Sequence, residues 1–403
     1  MYAMTNYHEL SGTADQIYQY LYSAIYFSII GAGGIYLGSN PANQVFELDH
    51  AVRLTTPKLI ITSKDVLPVV LQVCATNGIP TSRVYVLDVA AFPFYFGSPS
   101  PTYRLPEDSL VDCDVGASHY VTDLLSYGEA DWVSFSDEQT AKATPAAYFS
   151  TSGTSGYPKA AVISHYALVS HHLSIHQDVP YEVRRLMSLP AFHIFGALWA
   201  HLSAIRYGQP CYILPRFHGE KYVNAINQYK ITDTFMAPPM VHILNSWEKP
   251  LDGLIDTIRY VGVGGAPIDA PPMQKLRSRL HADATVSNVW GMTEIGAAVL
   301  FPWGEHDSSG SIGRLLPGYE MKLFDTNGNE VTEDGQAGEL FIRSPGVMSG
   351  YKGVEVLKEE LEWFRTGDIM CKKEGKLFIV GRAKELIKVK GYEIQSDPNS
   401  TLM

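Results

Sequence analysis

Short apolar runs recur along the chain at Leu59-Ile60-Ile61-Thr62, Val84-Tyr85-Val86-Leu87, Ala160-Ala161-Val162-Ile163, Tyr212-Ile213-Leu214 and Ile258-Arg259-Tyr260-Val261-Gly262-Val263. Longer helical stretches separate them, and that rhythm predicts α/β layering around largely parallel strands. From Gln16 to Phe46 there is no Asp, Glu, Lys or Arg, and Ile17 to Leu37 is long enough to span a bilayer. Gln16, Gln19, the tyrosines between Tyr18 and Tyr36 and the Gly31-Ala32-Gly33-Gly34 break favour a buried helix, a turn and a strand over a membrane span. The polar stretch from Glu129 to Lys142 reads as a solvated connection. After about Ser311 the period shortens to alternating strands with hairpin signals, as in Met321-Lys322-Leu323-Phe324, Asn327-Gly328-Asn329 and Gly338-Glu339-Leu340-Phe341-Ile342. This predicts a smaller β-rich subdomain, and a basic block from Gly381 to Lys388 follows it.

At 403 residues the chain exceeds one ordinary core, so two or three domains or subdomains are expected. Hydrophobic residues make up 46% and charged residues 18%, which gives ample core and excludes a disordered chain. The net charge of -11, with scattered basic residues, disfavours polynucleotide partners. Cys74, Cys113, Cys211 and Cys371 show no metal-ligand spacing and suit a reducing compartment. Met1 to Leu10 lacks a secretory n-region and Ser400 to Met403 is not a peroxisomal signal, so the expectation is cytoplasmic, with a peroxisomal address left open for a full-length relative.

The most informative segment runs Tyr148-Phe149-Ser150-Thr151-Ser152-Gly153-Thr154-Ser155-Gly156-Tyr157-Pro158-Lys159. Hydroxyls and glycines between two strands let backbone N–H groups approach a polyphosphate, and Lys159 adds a cation. Pro158 before Lys159 excludes the Walker pattern. Such sequence is ordinarily a flexible hairpin loop, but four further motifs follow in order. They are Leu189-Pro190-Ala191-Phe192-His193-Ile194-Phe195-Gly196, Gly264-Gly265-Ala266-Pro267, Asn288-Val289-Trp290-Gly291-Met292-Thr293-Glu294 and Trp363-Phe364-Arg365-Thr366-Gly367-Asp368, the last trailed by Gly381-Arg382 and Lys388-Val389-Lys390-Gly391-Tyr392. In this company the chain resembles the adenylate-forming superfamily of acyl-CoA synthetases, coumarate:CoA ligases, luciferases and adenylation domains, from about Tyr22 to Tyr392.

The resemblance implies an acetyl-CoA synthetase-like fold. Its large N-terminal domain would hold two layered αβα subdomains plus a β-rich one at about 311–380. Residues 1–380 would form that AMP-binding domain, and 381–403 the hinge, at Lys384, and the start of a lid. It also implies ATP, Mg²⁺ and coenzyme A as partners of a small carboxylic acid. By the same resemblance Thr151, Ser152, Gly153, Thr154, Ser155, Gly156 and Lys159 form the phosphate loop. Thr293 contacts the α-phosphate and Glu294 holds the metal. Trp290, with Gly291 and Met292 beside it, packs on adenine opposite Gly265, Ala266 and Pro267. Asp368 takes the ribose hydroxyls, Arg382 contacts ribose and phosphates, and Lys390 and Gly391 serve the CoA step. His193 is expected to position the acid and gate its pocket and not to act as a base, because a carboxylate nucleophile is already ionised.

Amino-acid-activating relatives carry an Asp near the Phe192-His193 position, and none lies between Leu189 and Leu202, so an ammonium-bearing substrate would be left unpaired. Ile194, Phe195, Met236, Ala297 and Ala298 match the acyl-pocket positions and suit an aryl or medium-chain acid. The chain departs from the pattern after Ile394, which predicts loss of the lid and its lysine, and with them several powers of ten in turnover. The alternatives are therefore an acid:CoA ligase, a nucleotide-binding remnant and a luciferase-like oxygenase. An exposed edge strand is expected near the N-terminus, because the family's first strands have no counterpart.

Overall fold

The computed structural model describes residues 2–6, 13–87, 119–151, 158–214, 216–247, 251, 253–355, 362–384, 386–389 and 392–395. Its first sheet contains β1 (Tyr2–Asn6), β2 (Ile35–Gly38), β3 (Leu59–Thr62), β4 (Val84–Val86), β5 (His119–Tyr120), β6 (Pro145–Ser150) and β7 (Ala160–Ser164), arranged β5-β4-β3-β1-β2-β6-β7. All neighbours are parallel except the β6–β7 hairpin, whose loop is the glycine- and serine-rich segment. Helices α1 (Thr13–Gly31), α2 (Val45–Thr55), α3 (Leu67–Thr76), α4 (Glu138–Ala143) and α5 (His165–Ser174) accompany it.

The charge-free N-terminal stretch folds as its glycines predict. Tyr22, Ile25 and Tyr26 of α1 are buried, Gly33 turns the chain at φ 73, and β2 follows. No helix among the described residues is long and apolar enough to cross a membrane. The exposed edge strand expected here is corrected by the structure: β1 lies between β2 and β3, with Met4 opposite both Leu37 and Ile60. Insertion pairs the backbone groups that β2 and β3 would otherwise present to solvent. Part of the solvated connection is helical, because Asp137 caps α4 by accepting the Thr140 N–H at 2.7 Å.

The second sheet contains β8 (Arg185–Met187), β9 (Cys211–Ile213), β10 (Asp233–Met236), β11 (Tyr260–Gly264), β12 (Thr285–Met292), β13 (Gly296–Leu300) and β14 (Arg314–Leu315), arranged β14-β13-β12-β11-β10-β8-β9. It is parallel from β9 to β12, then antiparallel through β13 and β14. α6 (Ile194–Ala197), a π-helical turn (Leu198–Ser203) and α7 (Ala204–Arg206) run on end to end, and α8 (Gly219–Tyr229), α9 (Pro238–Asn245) and α10 (Ala270–Arg277) follow. The third sheet, β15 (Glu320–Phe324), β16 (Ala337–Arg343), β17 (Phe364–Lys373) and β18 (Lys376–Arg382), is an antiparallel meander. A last hairpin pairs β19 (Leu386–Val389) with β20 (Tyr392–Gln395).

One apolar core joins all three sheets, with Tyr36 and Phe149 from the first, Phe235 and Val299 from the second, and Leu340 and Met370 from the third. A second core lies between β8, β10 and β11 and helices α8 to α10. The open edge of β7 is covered: Gly350 accepts the Val162 N–H at 2.9 Å, and Ala160 accepts the Lys352 N–H at 2.9 Å. This draws the segment after the third sheet's second strand against the end of the phosphate-loop hairpin.

Candidate active site

The ends of the glycine- and serine-rich loop, the candidate phosphate loop, are held by the hairpin ladder, where the Thr151 N–H donates to the Lys159 carbonyl at 2.8 Å. Thr151 is buried and Lys159 exposed. Ser152, Gly153, Thr154, Ser155 and Gly156 lie outside the described residues, as do Lys390 and Gly391. Lys159 places its ammonium 4.8 Å from the centre of the Tyr351 ring. The Tyr351 hydroxyl in turn donates to Glu294 Oε1 at 2.7 Å. Burial, followed by the Glu294 charge, pushes the Tyr351 phenol pKa up, so it stays a proton donor. Glu294 itself follows the β12 end, buried with Thr293, its backbone carbonyl accepting the Met348 N–H at 2.8 Å.

Tyr351 is thus a site residue that the motif reading did not single out. Its signal was an aromatic residue between glycines, a weak one, and only the strand-edge docking on β7 brings it beside both motifs. Glu294 offers a buried carboxylate with Tyr351 on one oxygen. No cluster of three His, Cys, Asp or Glu exists among the described residues. Such a single-carboxylate site fits Mg²⁺, which keeps waters and substrate phosphates as its other ligands.

Across the site, Asp368 and Arg382 are directly opposed on β17 and β18. Asp368 is only 4% exposed. Its Oδ1 lies 2.6 Å from Arg382 Nε, and its Oδ2 accepts the Trp290 indole N–H at 3.1 Å. The indole thus supplies a polar contact to the buried carboxylate. A bulge between Trp290 and Gly291 turns this strand end, and Gly291 has no room for a side chain: a Cβ would lie 2.1 Å from the Gly296 carbonyl oxygen. Gly265, Ala266 and Pro267 form an exposed turn at the carboxyl end of β11, beside the β12 end that carries Trp290. Ligands of open α/β sheets bind at such carboxyl ends.

His193 caps α6. Its Nδ1 accepts the Phe195 N–H at 3.2 Å, and since a backbone N–H only donates, the neutral ring carries its proton on Nε2. The ring opens to a cavity, yet enough protein surrounds it that desolvation lowers its pKa. At neutral pH it therefore presents an N–H and not a base. The cavity, of about 450 Å³, lies between α2 and the ends of β2 and β6 and is lined by Leu37, Phe46, Leu54, Lys159, Phe192 and His193 among others. Ile194, Ala297 and Ala298 are buried in the three-sheet core, with Phe195 packed against it. Phe195 meets Phe235 edge to face at 6.3 Å, and Phe235 stacks on Trp199 at 3.8 Å.

Met236 does not join them. Alternation along β10 sends Phe235 into the three-sheet core and Met236, fully buried, into the helix-side core. Lys384 is exposed just beyond β18. His171 and His201 are both buried, and their pKa values fall to about 4 because the charged ring would be desolvated.

The AMP-binding enzyme family matches residues 19–352. A nicotinic acid-CoA ligase of Penicillium canescens is 42% identical over 93% of this chain and 69% of its own length. A second nicotinic acid-CoA ligase, from Aspergillus fumigatus, is 42% identical over 92% of the chain and 65% of its own length. A phenylacetyl-CoA ligase of Aspergillus niger is 34% identical over 93% of the chain and 68% of its own length. The chain thus spans about two thirds of the length of these curated relatives. Among solved structures, ATP-bound MatB from Rhodopseudomonas palustris superposes with a TM-score of 0.73 at 22% identity, over 98% of this chain and 71% of that one. The amide bond synthetase McbA from Marinactinospora thermotolerans gives 0.72 at 20% identity, over 98% and 72%. With its glycine- and serine-rich β6–β7 hairpin, its Thr293-Glu294 strand end and its Asp368–Arg382 pair in one fold, this chain belongs to the AMP-binding enzyme family.

Proposed function

We propose that the chain activates an aryl or heteroaryl carboxylic acid with ATP, giving an acyl-adenylate and pyrophosphate, and then transfers the acyl group to the thiol of coenzyme A. The observation that carries this reading is the polar chain Lys159–Tyr351–Glu294 on one side of the β11 and β12 ends, with Trp290, Asp368 and Arg382 on the other. The first group suits a polyphosphate and the second a nucleoside. The names of the nicotinic acid and phenylacetyl relatives, and the absence of a carboxylate between Leu189 and Leu202, support an aromatic acid without an ammonium group.

In the first step a carboxylate oxygen bonds to the α-phosphorus and the bond to the bridging oxygen breaks. Lys159 and Arg382 offset the charge on the phosphate oxygens, and the His193 Nε2–H holds the acid. Mg²⁺, when bound, would neutralise phosphate charge, with Glu294 as its protein ligand. In the second step sulfur bonds to the acyl carbon, the carbon–oxygen bond to AMP breaks, and the thiol proton passes to solvent. The cavity beside His193 and Lys159 gives the thiol a route to that carbon.

The test is pyrophosphate release from ATP and Mg²⁺ with nicotinate, phenylacetate, benzoate and hexanoate, beside a calorimetric ATP titration. Release with the aromatic acids, and AMP formation on adding coenzyme A, is the expected result. ATP binding with no release for any acid would reduce the function to nucleotide binding and overturn the proposal.

A further inference from the structure

The loop that carries His193 is tied from behind by a buried imidazole. His201 sits in the π-helical turn Leu198–Ser203, a local rewinding of the helix that is common at functional sites. Its Nδ1 lies 2.7 Å from the Ser23 hydroxyl of α1, and its Nε2 lies 3.3 Å from the Ala191 carbonyl oxygen, two residues before His193. A carbonyl only accepts, so Nε2 bears the proton and Ser23 must donate to Nδ1. The ring is 1% exposed and lies nearly parallel to Tyr22 and Tyr26, at 5.1 and 5.0 Å. One orientation and one tautomer satisfy both partners.

The rest of the loop has little freedom. The His193 N–H donates to the Pro190 carbonyl at 3.1 Å. That carbonyl lies so close to Gly196 that a Cβ there would be 2.2 Å from it. Phe192 rests on Gly38, where a Cβ would approach its Cβ to 2.6 Å. The Ala191 carbonyl is thus the point at which α1 and the π turn act on the segment that aims His193.

On the reading given under Proposed function, we infer that His201 is a positioning residue for His193, with Ser23 fixing its tautomer, so that the relay Ser23–His201–Ala191 sets the direction of the His193 Nε2–H toward the acid. The residue need not touch substrate. Its effect belongs to the acid and not to the nucleotide.

The experiment pairs kinetics with ¹⁵N spectra of the histidine rings. His201→Asn, which cannot reach Ala191, should lower kcat/KM for the acid about 10-fold, and Ser23→Ala about 3-fold, with ATP affinity unchanged. His201→Gln, which places an amide N–H near the former Nε2, should recover most of the loss. In a His193→Gln background, His201→Asn should add no further loss, because the effect runs through His193. In the spectra both His193 and His201 should be neutral with the proton on Nε2, and Ser23→Ala should shift the His193 ring signals. Unshifted His193 signals, additive losses in the double variant, or a parallel loss of ATP binding would overturn the inference. Should His201→Asn fail to fold, Ser23→Ala carries both measurements. If no acid is turned over but the His193 signals respond, the ligase reading falls while the positioning relay stands.

Discussion

Asp368 shows what a single side chain can hold. Buried between Arg382 and the Trp290 indole, it keeps two charge-assisted contacts that a ribose would join or replace. Asp368→Asn should weaken ATP binding about 10- to 100-fold, the range for charge-assisted hydrogen bonds, with little change in melting temperature. Calorimetry beside a thermal melt checks this. Tyr351→Phe removes the O–H that donates to Glu294 and should cost about 10-fold in kcat/KM for Mg-ATP while leaving acid KM alone. Unchanged kinetics would mean that Tyr351 merely fills space. The roles of Trp290, Asp368 and Arg382 could be proposed from motif order. The indole contact could not, because it depends on the third sheet placing β17 against the β12 end.

At the scale of elements, the strand ends are shaped by missing side chains. Gly264 ends β11 where a Cβ would lie 2.6 Å from the Val289 carbonyl oxygen and 3.0 Å from Phe195. Gly264→Ala should destabilise the chain by about 1 to 3 kcal/mol, as overpacking does, and raise KM for the acid more than for ATP. Urea unfolding and steady-state kinetics separate the two effects. The strands themselves were legible. The runs at Leu59, Val84, Ala160, Tyr212 and Tyr260 all fall in observed strands or at their ends, and all but the Ala160 strand, which pairs antiparallel, are parallel strands, which read as continuous apolar runs. The position of β1 was not legible. A five-residue segment with polar members carries little periodicity, and its place between β2 and β3 is decided by the backbone groups it pairs. The face of β10 taken by Met236 was not legible either: motif position does not say to which side a strand residue points, whereas alternation in the folded strand sends Phe235 and Met236 into different cores.

Across the whole molecule, three buried titrating groups give stability a pH dependence. His171 and His201 have pKa values of about 4 against 6.5 for a free ring, and Asp233 about 6 against 3.8. Desolvation is the leading cause of all three shifts. Between pH 4 and 6 unfolding binds a proton at each histidine and releases one at Asp233, a net uptake of one. Stability from these groups therefore rises with pH by about 1.4 kcal/mol per unit across that window. Asp233→Asn removes the opposing group, and the slope should steepen by about 1.4 kcal/mol per unit. Urea midpoints at half-unit steps from pH 4.5 to 6 would show it, and an unchanged slope would mean that Asp233 is ionised in the folded chain.

By itself the sequence determined the reaction class, the order of the motifs, the α/β core with its β-rich annex, and the choice of a buried helix over a membrane span. Each of these is written in local chemistry: a glycine where the backbone must turn, hydroxyls and a lysine gathered in one loop, an apolar run where a strand is covered on both faces. Tertiary structure alone decided that Tyr351 meets Glu294, that the Trp290 indole meets Asp368, and that His201 stands behind His193. These pairs are separated by 57, 78 and, through Ala191, 10 residues. They come together only when three sheets close on one core, because a hydrogen bond depends on distance and direction in the folded chain, and neither is encoded in the spacing of motifs.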